Sequence, residues 1–341
     1  MQAGINARLL VSVATYNERE NIARLIEEIH VFAPRADVLV VDDNSPDGTG
    51  KLVDELSAKD SRIRGLHRSG KLGLGTAIVA AMNYAMSNNY DLLLNMDADF
   101  SHPARYIPAL LAGMSRRDVM IGSRYVAGGG TENWPVIREK ISRAVNGLVR
   151  FFFRMGVRDA SGAFRCYRVS KLRQVRFDLI ISRGYSFQQE MLFRCKLAGC
   201  TLGETPIIFE NRRAGKSKVN GKEAARSFAT IVYLGIRSML GIERRALERQ
   251  YEQRQRLAVE RNVDAAHRGL LRLHRDLRRL VALLPRAVLR PDLAQRRVGI
   301  EVAGHDDHDV LGPIEAVEEG LRVGVLRRHR LDVRRETDGR V

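Results

Sequence analysis

Short apolar runs alternate with helical patterns over the N-terminal part of the chain. The runs have the length and the β-branched content of buried strands, and turn residues and an amphipathic helical pattern follow them. This βαβ repetition predicts a mainly parallel sheet that helices cover on both faces. The predicted strands are 9–13, 38–41, 63–67 and 91–96, and the predicted helices are 21–29, 49–56 and 73–86.

Polar residues follow three of these strands directly, at 14–18, 41–49 and 95–103. The carboxyl ends of parallel strands meet at one edge of a sheet, where open α/β proteins bind their ligands. The three groups are therefore expected to line one crevice. Some members have a simpler role, since Asp47 and Thr49 are residue types that form turns and helix N-caps.

Asp97 and Asp99 form the sharpest of these features. Two carboxylates separated by one residue can offer oxygen ligands to a hard cation, Mg²⁺ or Mn²⁺, and leave room for water and a diphosphate. Such an ion would stabilise the charge on a departing nucleoside diphosphate. An isolated Asp-x-Asp is weak evidence, so the prediction depends on its position after the fourth strand. His102 either binds the ion or the diphosphate, or only shapes the loop before Pro103.

The composition is that of a globular protein. Of 341 residues, 45% are hydrophobic and 28% are charged, which argues against the fibrous, wholly disordered and membrane-embedded classes. The 3 Cys argue against a disulfide framework or a four-thiolate zinc site and fit a reducing compartment. No uninterrupted apolar run reaches about 18 residues, and the N-terminus lacks the pattern of a signal peptide. We expect a cytoplasmic protein.

The formal net charge of +17 calls for an anionic partner, although charge alone does not identify it. A basic nucleic-acid-binding protein is the alternative from a different functional class. It would need aromatic platforms or a groove-reading element, and the Arg-rich tail has neither. We therefore expect no nucleic-acid partner.

The C-terminal residues differ in composition from the rest. Residues 241–341 contain 22 Arg, no Lys and one aromatic residue, Tyr251. We therefore predict a folded domain over 1–241 and an Arg-rich tail over 242–341, with a helical pattern to about 284 and a disordered composition beyond it. Three interpretations of the tail stay open: a basic helix that contacts membrane phosphates, a family-specific appendage, or sequence never selected to fold, such as the product of a shifted reading frame.

Longer motifs surround the polar groups. They read Ala-Thr-Tyr-Asn-Glu at 14–18, Val-Asp-Asp-Asn-Ser-Pro-Asp-Gly-Thr at 41–49, Gly-Leu-Gly-Thr-Ala at 73–77, Met-Asp-Ala-Asp-Phe-Ser-His-Pro at 96–103, Gly-Ser-Arg-Tyr at 122–125, Asn-Trp-Pro at 133–135 and Gly-Tyr-Ser-Phe-Gln-Gln-Glu-Met at 184–191. Together they resemble the motifs of the dolichol/polyprenol-phosphate mannose synthases, which are inverting family 2 glycosyltransferases. The resemblance covers about residues 8–225 in the correct order. One departure is Ser-Gly-Ala-Phe-Arg at 161–165, where the family commonly has Thr-Ser-Gly-Phe-Arg, and it leaves the donor preference open.

The resemblance implies an α/β GT-A fold, a Rossmann-like and mainly parallel sheet flanked by helices. It also implies an enzyme that transfers a hexose from a nucleotide sugar to a polyprenyl or dolichyl phosphate with inversion. Mannose from GDP-mannose is the favoured donor, and glucose from UDP-glucose is the nearest alternative. The acceptor phosphate is already anionic at neutral pH, so its attack needs no general base, and positioning and charge compensation should dominate.

Carried over by motif, the resemblance assigns donor binding to Thr15, Tyr16, Glu18, Asp42 and Asp97. It makes Asp97 and Asp99 the metal ligands, with Asp99 as the principal one, and counts both as catalytic. The presence of both aspartates disfavours a non-catalytic nucleotide-sugar-binding relative.

A basic group is expected to hold the acceptor phosphate and to include Arg124 as a catalytic residue. Arg suits bidentate phosphate recognition, whereas Lys supplies a mobile charge. Ordinary surface cations are the alternative interpretation for this group. The residues assigned to it are Arg124, Arg138, Ser142, Arg212 and Lys218.

Two further segments have open interpretations. Gln188, Gln189 and Glu190 either contact the sugar or the acceptor, or are buried polar supports on a predicted helix. The apolar residues 224–242 contain Arg226 and Arg237, which disfavours a membrane span. This segment is either an interfacial helix or a helix packed on the domain. We expect an enzyme that is peripheral to the cytoplasmic face of the membrane and contacts it through this helix, the tail or both.

Overall fold

The computed structural model describes residues 7–182, 184, 186–210 and 221–283. Its strands are β1 (Leu9–Thr15), β2 (Asp37–Asp42), β3 (Ile63–His67), β4 (Leu92–Asp97), β5 (Val119–Ser123), β6 (Gly130–Thr131), β7 (Arg165–Arg168), β8 (Leu202–Pro206) and β9 (Ile208–Phe209). Its α-helices are α1 (Arg19–Phe32), α2 (Thr49–Lys59), α3 (Leu74–Ser87), α4 (Ile107–Gly113), α5 (Val136–Phe153), α6 (Val169–Leu172), α7 (Phe187–Leu197), α8 (Gly221–Met239) and α9 (Ile242–Leu283). All four predicted strands and all three predicted helices are present, with small shifts at their ends.

The main sheet has seven strands in the order β3-β2-β1-β4-β7-β5-β8. The strands β1 to β4 pair in parallel, as do β5 and β8, whereas β7 lies between β4 and β5 and is antiparallel to both. The prediction of a mainly parallel sheet is confirmed. A separate parallel pair joins β6 and β9.

Hydrophobic residues pack on both faces of the sheet. Leu10, Leu39 and Leu93 lie in a core that includes side chains of α3, α5 and α7. Val11 and Val38 lie in a second core, which includes side chains of α1 and α4. Adjacent residues of one strand thus point into opposite cores, and this explains why the strands read as nearly continuous apolar runs.

The register of the sheet brings three polar groups to one edge. Thr15 pairs with Asp42 across β1 and β2, and Ala14, one residue earlier, pairs with Asp97 across β1 and β4. All three strands run in the same direction, so their carboxyl ends meet here. The carboxyl ends of β1, β2 and β4 therefore lie side by side, where the crevice was predicted.

A buried ion cluster ties the first turn of α9 to the domain. Glu243 accepts hydrogen bonds from Arg194 of α7 and Arg237 of α8, and Arg194 also pairs with Glu190 at 2.9 Å. The turn between α8 and α9 contains Gly241 at φ +67°, a left-handed conformation that favours glycine. By its internal contacts the chain divides into two units between Gln255 and Arg256. The domain boundary at 241 stays a prediction.

Candidate active site

The carboxylate of Asp42 is held at the end of β2 by its neighbours. The Thr15 hydroxyl donates to Oδ1 at 3.0 Å, and the backbone N–H of Ser45 donates to Oδ2 at 3.0 Å. Asp42 is buried, and the Ser45 hydroxyl also donates to Oδ1. These donors orient the carboxylate without adding a charge of their own, so the predicted donor-binding residues Thr15 and Asp42 form one hydrogen-bonded unit.

Tyr16 and Glu18 lie in the loop that follows β1. The ammonium of Lys71 sits 4.3 Å from the centre of the Tyr16 ring, a cation–π contact. Glu18 accepts a hydrogen bond from the Asn21 amide at 2.8 Å, and its backbone N–H donates to the Thr49 hydroxyl at 3.0 Å. The structure therefore links this loop to the start of α2, next to Asp42.

The loop after β4 places its two aspartates in different surroundings. The side chain of Asp97 is 34% exposed, whereas Asp99 is buried and its Oδ1 accepts hydrogen bonds from the backbone and the hydroxyl of Ser101. Phe100, immediately after Asp99, has φ +62°, which is uncommon for a bulky side chain. Such strain persists only where the surroundings hold it, and it concentrates at functional sites.

His102 contacts the backbone of this loop. Its Nδ1 accepts the backbone N–H of Asp97 at 3.0 Å, which leaves the proton of the neutral ring on Nε2. The ring stacks on Phe164 with centroids 5.1 Å apart and meets Phe209 edge-on. Burial lowers the pKa of His102, against the opposing charges of Asp97 and Asp99. In this geometry His102 shapes the loop as a neutral ring.

Arg124 makes a buried, two-pronged ion pair with Asp159. Its Nε and Nη2 donate to the two carboxylate oxygens, each at 2.7 Å, and its backbone N–H donates to Oδ2 at 3.0 Å. Burial would raise the pKa of Asp159, but the hydrogen bonds and the charge of Arg124 outweigh it, and the pKa lies below its usual value. The Arg124 guanidinium also lies 5.6 Å from the centre of the Phe209 ring, which meets the His102 ring edge-on, so it lies near the aspartate loop.

Ser142 and Arg138 join Arg124 through aromatic neighbours. The Tyr125 hydroxyl donates to the Ser142 hydroxyl at 2.7 Å, and the Arg138 guanidinium lies 3.8 Å from the centre of the Trp134 ring. Arg124 lies 5.3 Å from the same ring. Three of the five predicted acceptor residues are thus brought together. The other two, Arg212 and Lys218, lie outside the described residues.

Asp159 and Asn146 have structural importance that the sequence reasoning missed. The buried Asn146 amide donates to the Ser142 carbonyl and the Ser161 hydroxyl, each at 2.9 Å, and its oxygen accepts the Ala160 N–H at 2.8 Å. This connects α5 to the loop that carries Asp159. The one available signal was the position of Asp159, two residues before the motif at 161–165.

The segment at 188–190 is buried in the structure. The carboxylate of Glu190 accepts the backbone N–H groups of Ile181 and Ser182 and pairs with Arg194. The Gln188 carbonyl accepts a hydrogen bond from Arg165 at 2.7 Å. Of the two interpretations, these contacts favour buried polar support for Glu190, whereas the contact from Arg165 involves only the backbone carbonyl of Gln188.

The residues around β4 fit a divalent cation that also binds a diphosphate. Within the part of the chain that the structure describes, no three His, Cys, Asp or Glu side chains form a metal-binding group. The loop after β4 offers two carboxylates, those of Asp97 and Asp99. Mg²⁺ is commonly bound in this way, by one or two carboxylates together with substrate phosphates and water.

Comparison with known proteins identifies similar sequences. Residues 10–176 match the model of the family described as glycosyl transferase family 2. The polyprenol monophosphomannose synthase of Mycolicibacterium smegmatis is 38% identical over 235 residues, which cover 68% of this chain and 89% of that protein. The undecaprenyl-phosphate mannosyltransferase of Micrococcus luteus is 38% identical over 242 residues, which cover 69% of this chain and 100% of that protein.

Among solved structures, glucosyl-3-phosphoglycerate synthase from Mycobacterium tuberculosis in complex with phosphoglyceric acid has a TM-score of 0.48 and 16% identity, over 67% of this chain and 79% of that one. The same enzyme in complex with Mn²⁺, uridine diphosphate and phosphoglyceric acid has a TM-score of 0.48 and 16% identity, over 68% of this chain and 78% of that one. The family match and the observed sheet together confirm the predicted GT-A fold class.

Proposed function

The chain belongs to glycosyl transferase family 2, as its motifs predict, and we propose that it transfers mannose to a polyprenyl phosphate. The proposed donor is GDP-mannose, and the proposed reaction inverts the anomeric carbon. Two relatives at 38% identity, whose names describe mannosyl transfer to polyprenyl phosphates, support the sugar and the acceptor.

The observation that carries the proposal is the meeting of a carboxylate edge and an arginine cluster at one place. Asp97 lies at the end of β4, beside the edge that holds Thr15 and Asp42. The Phe209 ring contacts both Arg124 and His102, and His102 in turn accepts the backbone N–H of Asp97. A nucleotide sugar on the acidic side would thus face an anionic acceptor on the basic side.

The chemistry needs little beyond positioning. An acceptor phosphate oxygen forms a bond to the anomeric carbon while the bond from that carbon to the diphosphate oxygen breaks, and the electron pair leaves with GDP. One such displacement inverts the carbon. The attacking oxygen carries no proton to remove, so no side chain acts as a general base, and the arginines hold and orient the anion.

Asp97 and Asp99 are the proposed ligands of Mg²⁺ or Mn²⁺. When bound, the ion would offset the negative charge that develops on the leaving diphosphate. The hydrogen bonds from Ser101 orient the Asp99 carboxylate, and His102 orients the backbone at Asp97. These hydrogen bonds fix the Asp99 carboxylate and the backbone of the loop that carries Asp97.

We also propose that the enzyme works at the cytoplasmic surface of a membrane, where its acceptor lies. Among the helices that the structure describes, none has the length and apolar character needed to cross a bilayer. The helix α8 packs against α5, and a Cβ at Gly235 would lie 2.4 Å from Phe152. The helix also exposes the apolar side chains of Phe228, Ile236 and Met239, as an interfacial helix would.

A donor panel with one lipid acceptor tests the proposal. The purified full chain, with Mg²⁺ or Mn²⁺ and a short polyprenyl phosphate, receives radiolabelled GDP-mannose or UDP-glucose in parallel reactions. We expect label in the lipid phase from GDP-mannose, with the anomeric configuration inverted in the product. Transfer only to water or soluble sugars would reject the acceptor, and transfer from UDP-glucose alone would reject the donor.

A further inference from the structure

Three arginines converge on a pocket at the side of α5. Its volume is about 190 Å³, and it is lined by Tyr125, Arg143, Asn146, Gly147, Arg150 and Arg158. Arg143 and Arg150 are seven residues apart on α5, so they project from the same side of the helix, and Arg158 belongs to the loop after it. Glu139 pairs with Arg143 at 2.7 Å, and the Glu204 carboxylate accepts the backbone N–H of Arg158 at 2.8 Å, so two carboxylates face three arginines. The pocket keeps an excess of positive charge.

Gly147 lies on the same side of α5, between Arg143 and Arg150. Glycine in a helix interior costs about 1 kcal/mol relative to alanine. Neither backbone conformation nor packing requires it here, because its φ is not positive and a Cβ would meet no atom within 4 Å. Because Gly147 has no side chain, the pocket extends down to the helix backbone at this point.

The chemistry of the pocket suits a phosphate group. Each guanidinium presents several N–H donors in a fixed fork that matches phosphate oxygens, and arginine is weakly hydrated compared with lysine. The Arg143 guanidinium is held 4.6 Å from the centre of the Tyr125 ring, which limits its motion. Tyr125 and Asn146 complete the lining, and hydrogen bonds to Ser142 and Ser161 hold their polar groups in place.

The pocket is separate from the proposed acceptor group. Tyr125 and Asn146 stand between the two, because both contact Ser142 while they line the pocket. A further face of α5 exposes apolar side chains, including Ile137, Ile141 and Phe151, the last of these 67% exposed. A phosphate bound in the pocket would thus lie beside an apolar surface, as a lipid headgroup does at a membrane.

We propose that Arg143, Arg150 and Arg158, with the space at Gly147, form a second binding site for a phosphate group. This site is distinct from the one assigned to the acceptor. Its ligand is a phosphate carried by an anionic lipid headgroup or present as a free anion in solution.

The test places a carboxylate in the pocket. Gly147→Glu should repel phosphate while it improves helix propensity, so the variant is expected to fold. Gly147→Ala is the matched control for the helix, and Arg116→Ala, an exposed arginine on another surface, matches the change in net charge. In equilibrium dialysis against labelled inorganic phosphate, we expect Gly147→Glu to weaken binding at one site by at least about tenfold. The two controls should bind like the unaltered chain.

A second arm identifies the source of the phosphate. The same variants are sedimented with vesicles of phosphatidylglycerol and, separately, of phosphatidylcholine. If Gly147→Glu no longer sediments with the phosphatidylglycerol vesicles, the pocket binds a lipid headgroup. If Gly147→Glu loses inorganic phosphate but still sediments with those vesicles, the ligand is a soluble phosphate. If Gly147→Glu and Gly147→Ala behave alike in both assays, the proposal is wrong.

Mannosyl transfer in detergent, with a short polyprenyl phosphate, separates this proposal from the proposed function. Gly147→Glu is expected to keep that activity, because Gly147 belongs to neither the donor edge nor the acceptor group. A pocket that binds phosphate in a chain without transferase activity would leave the pocket standing and reject the function.

Discussion

At the scale of single residues, the arginine proposed to meet the acceptor already has a buried partner. Asp159 takes two hydrogen bonds from the Arg124 side chain and two more from the backbone N–H groups of Arg124 and Gly162. The backbone N–H of Asp159 in turn donates to Glu204 at 2.9 Å. Asp159 therefore fixes the direction of the guanidinium before any ligand arrives.

Asp159→Asn should destabilise the protein strongly, because it leaves the buried Arg124 charge without its counterion. Breaking one side of such a pair costs about 3–5 kcal/mol. Urea unfolding at neutral pH measures the change, and Asp54→Asn, at an aspartate whose side chain is 65% exposed, is the control. A loss as small as that of the control would show that the pair contributes little to stability.

The same pair predicts a dependence of stability on pH. The pKa of Asp159 lies below its usual value in the folded state, because the hydrogen bonds and charge of Arg124 outweigh the effect of burial, so the unfolded state takes up a proton first as the pH falls. The contribution of the pair is complete above the unfolded pKa and is lost as the pH falls through the folded one. Urea titrations between neutral pH and pH ~3 should therefore show a steeper loss for the unaltered chain than for Asp159→Asn.

Asp99→Ala should abolish metal-dependent transfer, because it removes a proposed metal ligand. Removal of one main electrostatic contact to a transition state commonly costs 10²-fold or more in rate. Transfer to polyprenyl phosphate in the presence of Mn²⁺ and the binding of Mn²⁺ followed by electron paramagnetic resonance are the two measurements. Asp54→Ala serves as the control, and normal transfer by Asp99→Ala would exclude this residue as a ligand.

At the scale of elements, α3 and α7 approach each other closely because Gly75 has no side chain. A Cβ at Gly75 would lie 2.6 Å from Cδ2 of Phe187, which is buried. The second glycine of Gly-Leu-Gly at 73–75 thus lets the helices approach, whereas Gly73 precedes α3 with φ +98°. The motif starts a helix here, as the sequence predicts.

Gly75→Ala should lower stability by about 1–3 kcal/mol from overpacking, less the gain of about 1 kcal/mol in helix propensity. Gly147→Ala is the matched control in another helix interior. It meets no neighbour within 4 Å and should gain stability. Thermal unfolding of both variants distinguishes the effects, and equal gains would mean that α3 and α7 can separate at little cost.

At the scale of the whole molecule, the contacts of Glu243 indicate which truncated chains should remain stable. Its carboxylate accepts hydrogen bonds from Arg194 and Arg237, and it lies just beyond the predicted boundary at 241. The division between Gln255 and Arg256 keeps these contacts within the first unit. The boundary at 241 stays a prediction, and these contacts lead us to expect that a stable shortened chain needs the first turn of α9 as well.

A chain that ends at residue 255 should fold and transfer mannose in detergent like the full chain. A chain that ends at 242 loses the charge-assisted hydrogen bonds of Glu243, which are worth about 1.5–3 kcal/mol each. Its Tm should fall by at least ~3 °C. Thermal unfolding and the transfer assay measure both, and equal Tm values for the two truncations would show that Glu243 is dispensable.

The sequence by itself determined the order of β1 to β4 and of α1 to α3, and the carboxylate groups at the strand ends. These features depend on hydrophobic periodicity and turn chemistry within a few residues, which the sequence displays directly. The sequence did not predict β7 as a strand, because the segment is short and has an arginine at each end. The buried guanidinium of Arg165 is accommodated because the carbonyls of Ala160 and Gln188 accept its hydrogen bonds.

Only the tertiary structure decided which polar groups meet. Arg124 and Asp159 are 35 residues apart, and Arg194 and Glu243 are 49 apart. The periodicity of a segment says which side is buried, but it does not say which distant charge lies opposite. That depends on how β7 inserts between β4 and β5 and on how α5 packs beside the loop at 158–162, and both follow from long-range packing of the two cores.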